Sequence, residues 1–470
     1  MSYPTLYFGV ELEFNIAYVH PYEALADPFE SRIVRFIPTP EQITTGTSGF
    51  FDKPLTSIEL FDLSNPDTSM FRNRIMRNTI HNTIRETFAT AGLPIAINVD
   101  DSTYGDISKW ELDTDGTIEE PPDARYHWLP LELISPAYEF TPENLAAVQK
   151  ACDILTTKFV TNTNNSTGLH VHVSFGLKKM WDFRSLKNVL MFFWAFHTQF
   201  DTLHPTHRQK DNFFAKSMRA SSLMSMGFWE RFQKEITPLQ GLVLLERCED
   251  MDELLRAVST DEGDYGVGPD RYMVYNVRNI FDLMTPGMLK EKAKPTLEFR
   301  EHEGTLDGER VTQWIKLVCE VVKWVETVEP ASLIELLMVT EHEKWHKTRN
   351  EGDDDRNQRK YGPILAEGKF TIIHILEYMG LQESADFYRS RLYKVTGHAS
   401  LDPVDQYKWT HEEPRLVLSE IERPEQAIAQ GLKEVWEDME MMARFNKPSE
   451  EWTWNPDHQM WPAHRRIRGF

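Results

Sequence analysis

Residues 168–174 read Gly168-Leu169-His170-Val171-His172-Val173-Ser174, and their alternation decides the local structure. Leu169, Val171 and Val173 fall on odd positions, and His170, His172 and Ser174 on even ones. A period of two belongs to a β-strand, whose successive side chains point to opposite faces. The segment is therefore predicted as a strand with one apolar and one ionisable face. Three other segments repeat the pattern. Over 6–16, Val10, Leu12 and Phe14 oppose Gly9, Glu11 and Glu13; over 297–302, Glu298, Arg300 and His302 share a face. Leu131-Glu132-Leu133-Ile134-Ser135-Pro136 sets one carboxylate between leucines.

Outward from these strands, helical patterns intervene. A helix is predicted over 70–91, closed by Gly92 and Pro94. Short strands are predicted over 93–99, 107–112 and 128–134, with a turn at Thr114-Asp115-Gly116. Thr141-Pro142-Glu143 opens a helix that runs to about residue 160, an N-cap followed by a first-position proline. Residues 184–203 are hydrophobic almost all round, the mark of a buried helix. Irregular helical pieces are expected over 228–258, and strands over 272–280 and 296–301. From 309 the pattern is helical, over 309–327, 331–341, 370–379, 383–393 and 424–444. The Pro-rich stretch 21–66 reads as a loop-rich insertion with at most short strands, and 350–362 as an exposed loop. The tail carries Trp452, Trp454 and Trp461, then Arg465, Arg466 and Arg468. The organisation predicted is an α+β domain over 1–330, built on a largely antiparallel sheet with flanking helices, and a mostly helical extension over 331–470.

The 470 residues include 51 Lys and Arg against 73 Asp and Glu, a net charge of −22. Phosphate contacts need a basic footprint, so this field argues against nucleic-acid binding. Hydrophobic residues at 41% suffice for a sizeable core and exclude a largely disordered chain. Cys152, Cys248 and Cys319 lie far apart with no Cys-x-x-Cys, which argues against a disulfide framework and a thiolate zinc site. Cys152 and Cys319 are expected to be buried, inert thiols. Glu11 and Glu13 interrupt any early apolar run, so no signal peptide is expected, and the apolar stretch 189–196 is far too short to cross a membrane. An intracellular, cytoplasmic protein without membrane or nucleic-acid partners is the expectation; oligomeric state is left open.

Any one of the polar strand faces is ordinarily a solvated one. If the strands share a sheet, Glu11, Glu13, Glu132, His170 and Glu298 converge, with Arg300 beside them. Clustered carboxylates repel unless a cation or a proton sits among them. An oxygen-rich set with one imidazole suits Mg²⁺ or Mn²⁺, whereas zinc takes more nitrogen or sulfur. No Gly-x-x-x-x-Gly-Lys-Ser/Thr string occurs, so the sequence offers no P-loop to cradle phosphates.

The strings also stand in a familiar order. Gly9-Val10-Glu11-Leu12-Glu13-Phe14, Asp115-Gly116-Thr117 with Glu132-Leu133-Ile134-Ser135-Pro136, Thr167-Gly168-Leu169-His170-Val171-His172-Val173, Arg271-Tyr272 with Asn276, and Thr296-Leu297-Glu298-Phe299-Arg300-Glu301-His302-Glu303-Gly304-Thr305-Leu306-Asp307 with Trp314 together resemble the amidoligase family. That family belongs to the carboxylate–amine ligase superfamily, with glutamine synthetase and glutamate–cysteine ligase. The resemblance covers roughly residues 5–325. It implies a curved, largely antiparallel sheet of the glutamine synthetase catalytic type. It also implies roles: Glu11 and Glu13 as paired metal carboxylates, His170 as the imidazole ligand, and Glu132 and Glu298 as further metal ligands. Arg300 would contact the carboxylate substrate or the transferring phosphoryl group. Asn276 and His172 would line the site, on the cofactor side. Asp115 is either a site residue or turn chemistry alone.

The activity implied is ATP- and Mg²⁺-dependent formation of an amide or isopeptide bond through an acyl phosphate, with His170, Glu298 and Arg300 as the catalytic set. A carboxylate is a poor electrophile, and phosphorylation by ATP makes it one an amine can attack. The substrates would be a carboxylate and an amine, on small molecules or on peptides and proteins. Two other readings stand beside this one. The first is a metal-dependent hydrolase whose His170-x-His172 pair binds zinc and activates water. The second is a degenerate ligase domain that acts as a binding or scaffold protein.

Overall fold

The computed structural model describes residues 5–51, 53–96, 106–209, 212–232, 235–260, 268–285, 294–342 and 370–393. Among the described residues there are eight strands: β1 Tyr7–Tyr18, β2 Glu111–Asp113, β3 His127–Ile134, β4 Tyr138–Glu139, β5 Thr161–Asn162, β6 Gly168–Ser174, β7 Tyr275–Asn276 and β8 Leu297–Glu303. They follow the order β2-β3-β1-β6-β8-β7, and β4 and β5 also pair with β1. The β1–β3, β1–β4, β1–β5, β2–β3 and β7–β8 pairings are antiparallel. With helices on the same chain, the class is α+β, as the alternation predicts. The chain divides into two compact units, one of Tyr7–Val171 with Glu303–Ile315, the other of Met1–Leu6, His172–His302 and Lys316–Phe470.

In the first unit β1 is the spine. Its Val10, Leu12 and Phe14 are buried, as are Leu131 and Leu133 of β3 and Leu112 of β2. Ser135 fixes the end of β3 on β1, its Oγ accepting the Val10 N–H (2.8 Å) while its own N–H reaches the Val10 carbonyl (2.8 Å). Helices α1 Pro40–Thr47, α2 Ser57–Leu60, α3 Ser69–Thr90 and α4 Pro142–Lys158 belong here. Helix α3 buries Ile75, Ile80, Ile84 and Phe88, and the Phe88 ring meets Trp110 edge-on at 6.2 Å. Thr141 caps α4 by accepting the Asn144 N–H.

The stretch 21–66 departs from expectation, because α1 and α2 lie in it. Thr39 and Thr56 each form a capping box with Gln42 and Glu59 three residues on. Pro40 stands in the first turn of α1, where its fixed φ favours a helix and its missing N–H costs nothing. Nor do 107–112 and 93–99 form two full strands. Only Glu111–Asp113 does so, with Ile95 and Trp110 joined by a single bridge; residues 97–99 lie outside the described residues.

In the second unit the helices are α5 Phe183–Asp201, α6 Met218–Ser221, α7 Leu223–Phe232, α8 Pro238–Arg247, α9 Met251–Ala257, α10 Arg278–Met284, α11 Gly308–Thr327 (from Lys316 on), α12 Pro330–Met338, α13 Ile372–Tyr378 and α14 Gln382–Tyr388. Helix α5 is buried over most of its length, as its composition predicts: Phe192, Phe193, Trp194 and Phe196 are wholly enclosed. Phe193 touches Tyr275 of β7 and Phe299 of β8, both with centroids at 4.8 Å. Trp194 donates its indole N–H to the Pro238 carbonyl (2.8 Å), and Gly241 of α8 leaves room for its ring. Lys187 of α5 satisfies the carbonyls of Glu246 (2.9 Å) and Cys248 (2.8 Å) at the end of α8, where the helix carries partial negative charge.

The expected strand over 272–280 shrinks to Tyr275–Asn276, because the Asn276 side chain accepts the Arg278 N–H (2.8 Å) and turns the chain into α10. Such a local bond competes with the sheet ladder. All three cysteines are buried, and burial pushes the Cys152 and Cys248 thiols up to about 12, which makes them inert at neutral pH. No helix among the described residues is long and apolar enough to cross a membrane. The expected loop 350–362, the helix 424–444 and the Trp- and Arg-bearing tail lie outside the described residues.

Candidate active site

The first unit gathers acid on one face of its sheet. In the ladder, Glu13 stands opposite Glu132, and Glu132 opposite Asp113; Glu11 and Glu111 both face Ile134. Residues directly opposite on antiparallel strands share a face. Five carboxylates, Glu11, Glu13, Glu111, Asp113 and Glu132, therefore lie on one side of three strands. His170 of β6 joins them, with Nδ1 3.2 Å from Glu11 Oε2 and Nε2 3.5 Å from Glu13 Oε1. Glu13 Oε2 also accepts the Gly168 N–H (2.6 Å), which fixes the start of β6 against β1. One ligand atom from each of Glu11, Glu132 and His170 lies within 4.8 Å of the others.

The energetics of this face follow from charge. Two carboxylates about 5 Å apart repel by roughly 3 kcal/mol at an effective dielectric of 20, and Glu13 and His170 are buried, so water screens little. The face gains stability when positive charge enters it. The donors are carboxylate oxygens plus one imidazole, the set that fits Mg²⁺ or Mn²⁺.

The second unit holds the other predicted residues. The β7–β8 ladder sets Asn276 opposite Glu298. Asn276 Nδ2 donates to Glu298 Oε2 (2.5 Å), and Arg300 Nη1 to Glu298 Oε1 (2.5 Å). The Arg300 guanidinium is fixed further by Nε donating to the Phe214 carbonyl (3.1 Å) and by the Tyr272 ring, 5.9 Å away. His172 Nδ1 lies 3.0 Å from Thr296 Oγ1, and its Nε2 lies 3.9 Å from Glu298 Oε1. Asn279 Nδ2 donates to the same Thr296 hydroxyl (3.2 Å).

Sorted by unit, the eight predicted residues form two sets, Glu11, Glu13, Glu132 and His170 in the first and His172, Asn276, Glu298 and Arg300 in the second. Among the described residues, no group of three potential ligands contains both His170 and His172. Asp115 does turn chemistry: its Oδ1 accepts the N–H and the hydroxyl of Thr117, each at 2.7 Å. Sequence reasoning missed Glu111 and Asp113, whose signal is the Glu-x-Asp alternation around Leu112. It also missed Asn279 and Thr296, which no local pattern marks.

Residues 4–322 match the model of the family described as "Putative amidoligase enzyme". No curated protein and no solved structure matches the chain. The family match takes in every residue of both sets, over two thirds of the sequence, and on that footing the chain belongs to the amidoligase family.

Proposed function

We propose that this chain is an ATP- and Mg²⁺-dependent carboxylate–amine ligase working through an acyl phosphate, its catalytic domain covering residues 1–330 and its sheet of the glutamine synthetase type. The family description supports a ligase-type activity. The observation that carries the finer reading is the approach of Glu11, Glu132 and His170 on an acid-rich face. Glu11, Glu13, Glu132 and His170 would hold Mg²⁺ or Mn²⁺, with Glu298 as a further ligand. Such ions supply the positive charge that lets an anionic acid approach ATP, and they reverse the sign of the site.

In the reaction, a carboxylate oxygen attacks the γ-phosphorus and ADP leaves. The amine nitrogen then attacks the acyl carbon, the carbon–oxygen bond to phosphate breaks, and the nitrogen gives up a proton. Arg300 contributes a pre-fixed guanidinium for the carboxylate or phosphoryl oxygens. Asn276 keeps the Glu298 carboxylate aimed, and His172 lines the nucleotide side. One residue separates His170 from His172 on β6, so a single strand carries a member of each set. The hydrolase reading needs both imidazoles on one zinc, and among the described residues no group of three potential ligands contains both.

The test is turnover with hydroxylamine as a general amine and a panel of carboxylates. ADP and phosphate should form only when both are present, alongside a hydroxamate, and Glu11→Ala or Glu298→Ala should lower the rate at least ~100-fold. Release of AMP and pyrophosphate, or turnover indifferent to Glu11→Ala, would contradict the proposal.

A further inference from the structure

A second cluster of metal-binding side chains lies where β1 ends and β3 begins, within the first unit. His20 follows β1 by two residues, Glu23 is in the turn after it, and His127 opens β3 opposite Tyr18. One ligand atom from each of the three lies within 4.8 Å of the others. His127 Nε2 is 3.0 Å from both Glu23 oxygens, and the two imidazole rings stand 4.5 Å apart. His20 is 5% exposed, its Nδ1 is shut off from solvent without a hydrogen-bond partner, and its ring is turned into the cluster.

The backbone that carries this cluster is clamped in place. Arg35 donates to the carbonyls of His20 (3.0 Å), Pro21 and Glu23 (2.5 Å), so one guanidinium fixes the whole turn. Glu23 is held too, its Oε2 accepting the His20 N–H (2.8 Å). Tyr18 and Phe61 wall the His20 ring at centroid distances of 5.6 and 5.5 Å. A buried polar ring costs stability without a partner, and a nitrogen of this ring lies within 4.8 Å of ligand atoms from two other metal-ligating groups.

From this geometry we infer that His20, Glu23 and His127 form a second metal site, for a transition-metal ion of the zinc class, which fastens the turn after β1 to the start of β3. Two imidazoles and one carboxylate are a zinc-type donor set, unlike the oxygen-rich face around Glu11. Tetrahedral ligands with bonds of about 2.0–2.1 Å stand roughly 3.3 Å apart. His127 and Glu23 already lie at 3.0 Å and all three ligand atoms within 4.8 Å of one another, and His127, about half exposed, leaves the outer position open to solvent.

The experiment is calorimetric titration of the chelator-stripped full-length chain with Zn²⁺ alone, repeated with Co²⁺ and followed by absorption. One equivalent is expected whose affinity falls at least tenfold in both His127→Gln and His20→Gln, with imidazole-type cobalt bands that disappear in the same variants. His127 is exposed enough for its substitution to leave the fold intact, which equal melting temperatures of wild type and variant in chelator will verify. Zinc should raise the wild-type melting temperature and leave that of His127→Gln unmoved. No zinc binding, or binding that survives both histidine variants and is lost in Glu11→Gln, overturns the inference. Because the readout is zinc affinity rather than turnover, failure of the ligase proposal leaves this result unaffected.

Discussion

Glu301 sits on the same face of β8 as Leu297 and Phe299, and burial pushes its carboxyl up to about 8 from an ordinary 4.5. The Tyr275 hydroxyl donates to its Oε2 (3.3 Å). Folding thus keeps a proton on Glu301 that the unfolded chain releases above about pH 4.5, so its contribution to stability declines as pH rises towards 8. Three histidines act in the opposite sense. Burial holds His81 and His197 down to about 3 and His20 to about 4, so their contributions are present above 6.5 and lost as pH falls through those values. Between about pH 6.5 and 8 the Glu301 effect stands alone among these four. Denaturant unfolding in chelator should show stability falling across that window in wild type and a flatter profile in Glu301→Gln. An unchanged slope in the variant would mean Glu301 is already ionised. Alternation places Glu301 on the apolar face of its strand, but nothing local says that the face is closed by α5; the shift belongs to burial, which only the folded chain reveals.

Strands that the sequence predicts by alternation are found within a few residues of their expected limits: 6–16 as Tyr7–Tyr18, 128–134 as His127–Ile134, 168–175 as Gly168–Ser174. Period-two patterning is local and survives into the fold. Register is not local, because it depends on which strand becomes the neighbour. Hence Glu11, Glu13 and Glu132 were legible as candidates, while the row Glu13–Glu132–Asp113 was not. That row carries a prediction. Like charges directly opposite each other are destabilising, so without metal Glu132→Gln should be more stable than wild type by about 0.5–2 kcal/mol. Saturating Mg²⁺ should shrink or reverse the gap. Lower stability of the variant in chelator would contradict the repulsion argument. A second element-scale test concerns α5 and α8. A Cβ at Gly241 would stand 2.0 Å from the buried, rigid Trp194 ring. Gly241→Ala should therefore cost about 1–3 kcal/mol in denaturant unfolding, despite alanine's higher helix propensity; a neutral effect would show that the helices separate freely.

For the molecule as a whole, a chain of charge −22 places a row of carboxylates on one sheet face and a neutralised Glu298–Arg300 pair on another strand. Like charges gathered on that face lower the stability of the metal-free protein. The sequence revealed the residue types and their strand faces; their burial and their pairing across β-strands far apart in the chain depended on the fold. The central claim is that the acidic face handles nucleotide through metal, and calorimetric titration with ATP in the presence and absence of Mg²⁺ tests it without knowledge of the acid or the amine. The account predicts ATP binding that requires Mg²⁺, disappears in chelator and weakens at least tenfold in Glu11→Gln and in Glu298→Gln. Absence of heat at millimolar Mg·ATP, or binding as tight in chelator as in Mg²⁺, would contradict it.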